Sequence, residues 1–277
     1  MLKYKNVNNI NECLISRFNN NEKTILFKNR DRGYAPNLRV VRDIADDVEY
    51  VYLHDIDTDW SEGLNSYGIG IVNSALMVGY DENEKKIIKK TGKKSHDGKI
   101  IRKALMQKNL DDAYKILLNY NNGIRGHTIV TDNDRYIIIE STSKHYPISR
   151  ISNSDITVAD DTIVRTNHGF FHINAGYISG KNYLSSKLRK EFGEQIISSV
   201  SNYKDLPEKI RFQKNNNPQF NPTRMDGDLK TTSQLLMNIT DLEFEIHLIK
   251  SNISEFKGII KNVKITEPKI KIYVKYV

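Results

Sequence analysis

The sequence has few of the features that mark secreted, disulfide-bonded or membrane-spanning proteins. Its 277 residues contain one cysteine, Cys13, so no disulfide can form within the chain. A chain without disulfides fits a reducing compartment, and we expect a cytoplasmic protein. No apolar run is long enough to cross a bilayer, and the polar stretch 1–12 does not resemble a secretory signal. We therefore expect no membrane partner.

Linkers and internal repeats are also missing from the sequence. No segment rich in proline, glycine or serine divides the chain, and no period recurs along it. The hydrophobic content of 38% and the charged content of 27% are typical of a soluble globular protein. A chain of this length can bury one large core. These observations predict a single domain.

The net charge of +8 does not by itself indicate a nucleic-acid partner. The densest run of lysines lies between residues 85 and 94, and no aromatic residue is interleaved with it. A nucleic-acid groove would combine such charges with aromatic side chains on which bases stack. We interpret the run as a solvated loop and the start of a helix, and expect no nucleic-acid partner.

Apolar patterns predict strands at both ends of the chain and helices between them. Residues 13–18 and 24–30 are apolar-rich segments on either side of a polar turn, which predicts a β-hairpin. Helical spacing occurs at 97–107, 110–120 and 181–200, with Asn109 as an N-cap. This arrangement predicts an α+β fold rather than alternating βαβ units. The further predicted strands are 67–78, 127–132, 135–141, 155–160, 162–166, 235–239, 244–249 and 270–277.

Cys13 is the first candidate for chemistry. A single cysteine is often an inert buried side chain, and that interpretation stays open. However, Cys13 begins a predicted strand, follows a short polar leader, and faces a partner strand that ends in charged residues. If the hairpin closes, Lys28 and Asp31 come back near Cys13. A nearby cation would favour the thiolate, which is the reactive form of cysteine.

The run from Cys13 to Asp31 resembles the start of the mature chain in the choloylglycine hydrolase and penicillin V acylase family. It is equally similar to the isopenicillin-N acyltransferase-like amidases. In that group a cysteine opens the mature chain, and an Arg-Asn-x-Asp stretch follows about one hairpin later. Here the stretch reads Lys-Asn-Arg-Asp over residues 28–31. Lys28 therefore stands where the group has an arginine.

Further segments resemble the same family in the same order. Residues 63–73 are similar to its Gly-Met-Asn-Glu-x-Gly-Leu segment, which implies that Asn73 is an oxyanion-hole donor. Residues 165–168 resemble its Thr-Asn stretch, which implies that Asn167 is the second donor. His168 follows, and we interpret it as structural or substrate-contacting, because the family uses the amine of the nucleophile as base. Residues 185–189 resemble a Ser-x-x-Arg helix start, which implies that Arg189 is a remote active-site arginine.

The resemblance implies an N-terminal nucleophile (Ntn) hydrolase, an αββα sandwich of two antiparallel sheets between helical layers. It implies that residues 1–12 form a leader removed autocatalytically, leaving residues 13–277 as the mature domain. The Cys13 thiol would then attack a linear amide of a small molecule, with its free α-amine as base and Asp31 orienting that amine. Asn73 and Asn167 would stabilise the oxyanion, and Lys28 and Arg189 would complete the site. No cofactor and no metal are expected.

Several alternatives stay open at this point. The same acyl-thioester would make the protein an acyltransferase if an amine replaced water. A domain of this fold without catalysis could bind a small amide. A distant family named for an Asn-Arg-Asp-Glu motif also fits residues 29–31, although Arg32 replaces its glutamate. The acidic residues around His54 suit a strand end better than a metal site. The sequence predicts neither the substrate nor the oligomeric state.

Overall fold

The computed structural model describes residues 12–76, 97–118, 124–142, 145–151, 162–171, 183–261 and 267–277. The leader before Glu12, the lysine-rich run 85–94 and the predicted strand 155–160 lie outside the described residues.

The sheet that carries Cys13 has six strands. Strands β1 and β2 pair antiparallel across a turn at Asn21 and Glu22, two residues with positive φ, so the predicted hairpin is confirmed. The register places Cys13 opposite Arg30. Across the sheet the strands are β10 (Ile163–Arg165), β1 (Glu12–Asn20), β2 (Lys23–Arg32), β11 (Lys230–Asn238), β12 (Glu243–Leu248) and β14 (Lys271–Tyr276).

The second sheet has eight strands and lies against the first. The sequence pattern predicts β6, β7 and β8 but not the other five, although β6 is shorter than predicted. Across the sheet the strands are β13 (Glu255–Lys261), β3 (Asn37–Ala45), β4 (Val48–Asp55), β5 (Trp60–Asn65), β6 (Gly70–Ser74), β7 (Gly126–Thr131), β8 (Tyr136–Thr142) and β9 (His145–Ile151).

Four α-helices are present in the described part of the chain: α1 (Asp97–Leu105), α2 (Leu110–Leu118), α3 (Leu184–Ser198) and α4 (Leu206–Phe212). The predicted N-cap at Asn109 is confirmed, because its Oδ1 accepts the backbone N–H of Asp112 at 2.9 Å. Helix α4, which has a proline in its first turn, is not predicted by the sequence pattern. None of the helices described is both long and apolar enough to span a membrane.

Three apolar clusters show how these elements form layers. The first lies between the two sheets and includes Ile15 and Leu26 from one sheet and Val40 and Val51 from the other. The second holds α1 and α2 on the outer face of the eight-stranded sheet. The third holds α3 and α4 on the outer face of the six-stranded sheet. The order is therefore helices, sheet, sheet, helices, as predicted.

The sheets differ from the prediction in one respect, because they are mixed rather than purely antiparallel. Strand β14 runs parallel to β12, and β13 runs parallel to β3, each pair at one edge of its sheet. The chain passes from β12 to β13 in the other sheet and then returns to β14. Parallel neighbours need such a crossover, whereas a tight hairpin joins antiparallel strands.

A glycine at the start of α1 allows this helix to dock on the eight-stranded sheet. A Cβ atom at Gly98 would lie 1.7 Å from the carbonyl oxygen of Asp59 and 2.9 Å from Cα of Trp60. We expect Gly98→Ala to lower the free energy of unfolding by about 1–3 kcal/mol, because backbone must move to make room. The midpoint of denaturant unfolding measures this loss of stability. Gly258→Ala is the control, since a Cβ there meets nothing within 4 Å. Equal midpoints for the two variants would contradict the prediction.

Candidate active site

Cys13 is the second residue of β1 and is 2% exposed. Side chains alternate along a strand, so Cys13 faces the same way as Ile15, toward the eight-stranded sheet. Its Sγ atom lies 3.6 Å from Nη1 of Arg32, at the end of β2. Arg32, which was not among the predicted site residues, thus contacts the thiol.

Lys28 lies on the same face of β2 and is buried. Its Nζ donates to the backbone oxygen of Asn73 at 2.6 Å and forms an ion pair with Glu62. Glu62 also pairs with Arg30, and it comes from β5, a strand that the sequence pattern did not predict. The structure therefore brings Lys28 and Asn73 together and adds a buried carboxylate that joins Lys28 to Arg30.

A second buried carboxylate completes this charged cluster. Asp55 accepts from Nη1 of Arg30 at 3.1 Å and from the Tyr34 hydroxyl at 2.8 Å, and Nε of Arg32 lies 3.4 Å away. With Lys28 and Glu62, the cluster has three cations and two carboxylates. The surplus positive charge lies on the face of β2 that Cys13 shares.

The charges in this cluster shift each other's pKa values. Burial lowers the pKa of Lys28. Burial alone would raise the pKa of Glu62, but Arg30 and Lys28 hold it below its ordinary value. Burial likewise opposes ionisation of Arg32, yet the charges of Cys13 and Asp55 raise its pKa overall. The carboxylates are therefore ionised at neutral pH, and Arg32 stays protonated.

The opposite face of the hairpin carries Asp31, which pairs with Glu12 across the two strands. Asp31 is fully buried, and its Oδ1 accepts from Oγ1 of Thr231 at 2.7 Å. Its Oδ2 accepts no hydrogen bond from any described residue, and Nη1 of Arg189 lies 3.7 Å away. Burial raises the pKa of Asp31. One oxygen is therefore available for a further donor.

Asn167 contacts the backbone nitrogen of Cys13. Its Oδ1 accepts the Cys13 N–H at 3.3 Å and Nη2 of Arg189 at 3.0 Å. Its Nδ2 donates to the Ala75 carbonyl at 2.7 Å, and within the described part of the chain the second amide proton has no partner. The structure thus brings Asn167 to the cysteine and leaves it one proton to donate.

Asn73, unlike Asn167, donates both of its amide protons to described residues. Its Nδ2 donates to the Arg125 carbonyl at 3.2 Å and to Oγ1 of Thr128 at 2.8 Å. Both amide protons are thus engaged within the protein. To donate to an oxyanion, Asn73 would have to exchange the longer of these two bonds, the one to Arg125.

Arg189 reaches into the site from α3 and is fully buried. Its Nη2 donates to Oε2 of Glu12 at 2.7 Å. Glu12 also accepts from Nη2 of Arg224 at 2.5 Å and from the Tyr183 hydroxyl at 2.7 Å. Glu12, Tyr183 and Arg224 were not predicted as site residues, and no short motif in the sequence contains them together.

His168 contacts side chains and backbone of the protein that hold it in place. Its Nδ1 lies 3.0 Å from Oγ of Ser186 and 3.2 Å from Oγ1 of Thr166. Its backbone oxygen lies 2.9 Å from Nε2 of His127. Burial, with the neighbouring charge of His127, lowers the pKa of His168 to about 4. His168 is therefore neutral at pH 7 and ties its loop to the start of α3.

The described residues contain no group of three or more His, Cys, Asp or Glu side chains placed to hold a metal ion. At the end of β4, Nε2 of His54 lies 2.9 Å from Asp59, and Asp55 pairs with arginines.

Comparison with known proteins identifies the fold. No protein-family model matches the sequence, and no curated protein matches it either. Among solved structures, the chain is similar to an N-acylethanolamine-hydrolyzing acid amidase ortholog from Caenorhabditis elegans, with a TM-score of 0.58 and 14% sequence identity. That match covers 82% of this chain and 93% of the other. The chain has the Ntn-hydrolase fold.

A second solved structure, penicillin V acylase from Agrobacterium tumefaciens, matches with a TM-score of 0.41 and 11% identity, over 94% of this chain and 99% of that one. In the Ntn-hydrolase fold found here, Cys13 lies on β1, the second strand from one edge of the six-stranded sheet, and its sulfur faces the other sheet. The similarity to the acid amidase ortholog and the observed order of layers confirm the predicted fold, apart from the parallel strand pairs at the sheet edges.

Proposed function

We propose that this protein is an amidohydrolase whose nucleophile is the thiol of Cys13, exposed when residues 1–12 are removed. The observation that carries the proposal is the set of partners around the Cys13 nitrogen and sulfur. Asn167 accepts the N–H, and Arg32 lies 3.6 Å from the sulfur. Asp31 lies opposite Glu12 with one oxygen free of hydrogen bonds from the described residues.

Removal of the leader would proceed by an acyl shift from nitrogen to sulfur. The Cys13 sulfur attacks the carbonyl carbon of Glu12, and the thiol proton passes to the Cys13 nitrogen as the C–N bond breaks. This step yields a thioester on Cys13 and a free α-amine. Water then attacks the thioester, releases residues 1–12 with a new carboxylate at Glu12, and restores the thiol.

The mature site would hydrolyse amides through the same intermediate. A free α-amine has an ordinary pKa near ~8, so it can accept the thiol proton close to neutral pH. The sulfur attacks the substrate carbonyl, and the ammonium returns the proton to the leaving amine as the C–N bond breaks. Water, deprotonated by the amine, then cleaves the thioester. Asn167 has one amide proton without a partner among the described residues, which is available for the oxyanion, and such donors contribute about 3 kcal/mol each.

The first test is the intact mass of the purified protein beside that of Cys13→Ala. We expect the wild type to lack the mass of residues 1–12 and the variant to keep it, because without the sulfur the acyl shift cannot begin. N-terminal sequencing should place Cys13 first in the wild type. The matched control is Ser16→Ala, three residues along the same strand and equally buried, which should be processed normally.

Two outcomes would overturn the proposal. Retention of residues 1–12 in the wild type would remove the amine base on which the mechanism depends. Loss of the leader from Cys13→Ala at the same rate would show that another protein cleaves it and that the sulfur has no part in processing.

A further inference from the structure

The side chain of Glu12 occupies a cationic site beside Cys13. Its Oε2 accepts from Nη2 of Arg189 at 2.7 Å and from Nη2 of Arg224 at 2.5 Å. Its Oε1 accepts from the Tyr183 hydroxyl at 2.7 Å. We refer to Tyr183, Arg189 and Arg224 as the carboxylate site. Hydrogen bonds between charged partners are stronger than neutral ones, so this site is selective for an anion.

The three donors come from two separate parts of the chain. Arg189 projects from α3, Tyr183 lies immediately before that helix, and Arg224 precedes β11. The Tyr183 backbone has a left-handed conformation, with φ at 32° and ψ at 42°, which is costly for a residue other than glycine. Strand pairing does not need these contacts, because Glu12 already pairs with Asp31 through the backbone. The convergence therefore points to recognition of the carboxylate itself.

Removal of residues 1–12 would take away the carboxylate and leave the cations. Arg189 and Arg224 would then have Asp31 as the nearest carboxylate, at 3.7 and 3.9 Å. The new ammonium of Cys13 would add a further positive charge to the same region. A buried cation that loses its partner is strongly destabilising. The emptied site would thus favour a new anion.

We infer that the carboxylate site, once the leader has left, binds a carboxylate on the acyl part of the amide substrate. This inference rests on the proposed function. The acyl part is the expected side, because the thioester formed during leader removal carries Glu12 as its acyl group. The carbon chain from the carbonyl to the carboxylate in Glu12 is that of a glutaryl group. The preferred substrates are therefore monoamides of short dicarboxylic acids.

The binding site can be tested without catalysis in full-length protein. In Cys13→Ala the leader stays and Glu12 fills the site, whereas Glu12→Ala/Cys13→Ala leaves a space the size of acetate. We expect acetate to raise the thermal midpoint of the double variant, and acetamide at the same concentration and ionic strength to leave it unchanged. The single variant should respond to neither. Equal responses of the two proteins to acetate would overturn the carboxylate site.

Substrate preference tests the inference in the processed enzyme. We expect kcat/KM for glutaryl-p-nitroanilide to exceed that for valeryl-p-nitroanilide by about tenfold or more, as one charge-assisted hydrogen bond would produce. Arg224→Gln should lower this ratio, because it removes one of the two guanidinium donors to the carboxylate. Arg135→Gln is the matched control, because Arg135 pairs with Asp111 on the surface and should keep the preference.

The possible results separate this inference from the proposed function. Hydrolysis of both anilides at equal rates by processed wild type would overturn the carboxylate preference and leave the hydrolase standing. Processed wild type could instead prefer N-valeryl-glutamate over N-valeryl-glutamine and show no preference for the glutaryl anilide. That result would mean that the site binds a carboxylate on the leaving amine, and it would overturn the assignment to the acyl part. Acetate binding by the double variant with no hydrolysis of any amide by processed wild type would overturn the hydrolase and keep the site.

Discussion

Replacing Asp31 by asparagine is expected to lower kcat of the processed protein by about 10²- to 10⁴-fold, the range that general base catalysis contributes. Asp31 lies opposite Glu12, the residue whose carbonyl carbon is bonded to the Cys13 nitrogen that leader removal would free. One of its oxygens accepts from Thr231, and the other has no hydrogen bond among the described residues. An asparagine can keep the bond to Thr231 but offers the α-amine an uncharged group.

The pH dependence of kcat for Asp31→Asn distinguishes a role in positioning the α-amine from a general effect on the fold. A neighbouring carboxylate stabilises the ammonium and so raises the pKa of the amine. Without it the amine loses its proton at lower pH, and the acidic limb of the kcat profile should move to lower pH. The leader must be shown to be absent by intact mass before the comparison. Asp111→Asn, at an exposed position on α2, should leave both rate and profile unchanged. An Asp31→Asn enzyme with more than half the wild-type kcat would refute the assigned role.

Glu62→Ala is expected to lower the free energy of unfolding by about 3–5 kcal/mol, the cost of leaving a buried ion without its partner. Glu62 is fully buried and pairs with both Lys28 and Arg30, whose side chains are 2% and 1% exposed. Without Glu62, Arg30 would keep its ion pair with Asp55, and Lys28 would keep its hydrogen bond to the Asn73 carbonyl. The two cations would then repel each other in the core between the sheets.

Denaturant unfolding of three variants tests this account. Lys28→Met in the Glu62→Ala background should recover part of the loss, because it removes the unpaired charge and keeps the apolar chain. Asp112→Ala breaks an exposed ion pair with Lys115 and should leave the midpoint unchanged. If Glu62→Ala unfolds at the same midpoint as Asp112→Ala, water must reach the cations, and the cluster is not the buried network described here.

The hairpin that carries the candidate nucleophile could be predicted from the sequence because its signals are local. Two apolar runs flank a polar turn, and the turn residues Asn21 and Glu22 take the positive φ that such a connection needs. Once the hairpin closes, its register brings Asp31 back toward Cys13 without any other part of the chain. The helices α1 and α2 were predictable for the same reason, since their apolar spacing repeats within a few residues.

Strand β5 shows why other elements were not predictable. Its sequence, Trp60–Asn65, does not alternate between apolar and polar residues. The polar side chains of Ser61, Glu62 and Asn65 are nevertheless all buried. Glu62 can lie inside the protein only because Lys28 and Arg30 reach it from the other sheet. A strand that buries a charge against a distant partner contradicts the pattern on which strand prediction depends.

By itself, the sequence determined the α+β class, the hairpin with Cys13 and Asp31 on it, and the order of segments that resembles the Ntn hydrolases. Only the tertiary structure decided that the Arg32 guanidinium contacts the Cys13 sulfur, and that Glu12 is held by Arg189 and Arg224. Local periodicity depends on neighbours a few residues apart, whereas these ion pairs join residues that the chain separates by 177 and 212 positions. Such contacts form only when strands and helices pack, so no pattern along the chain contains them.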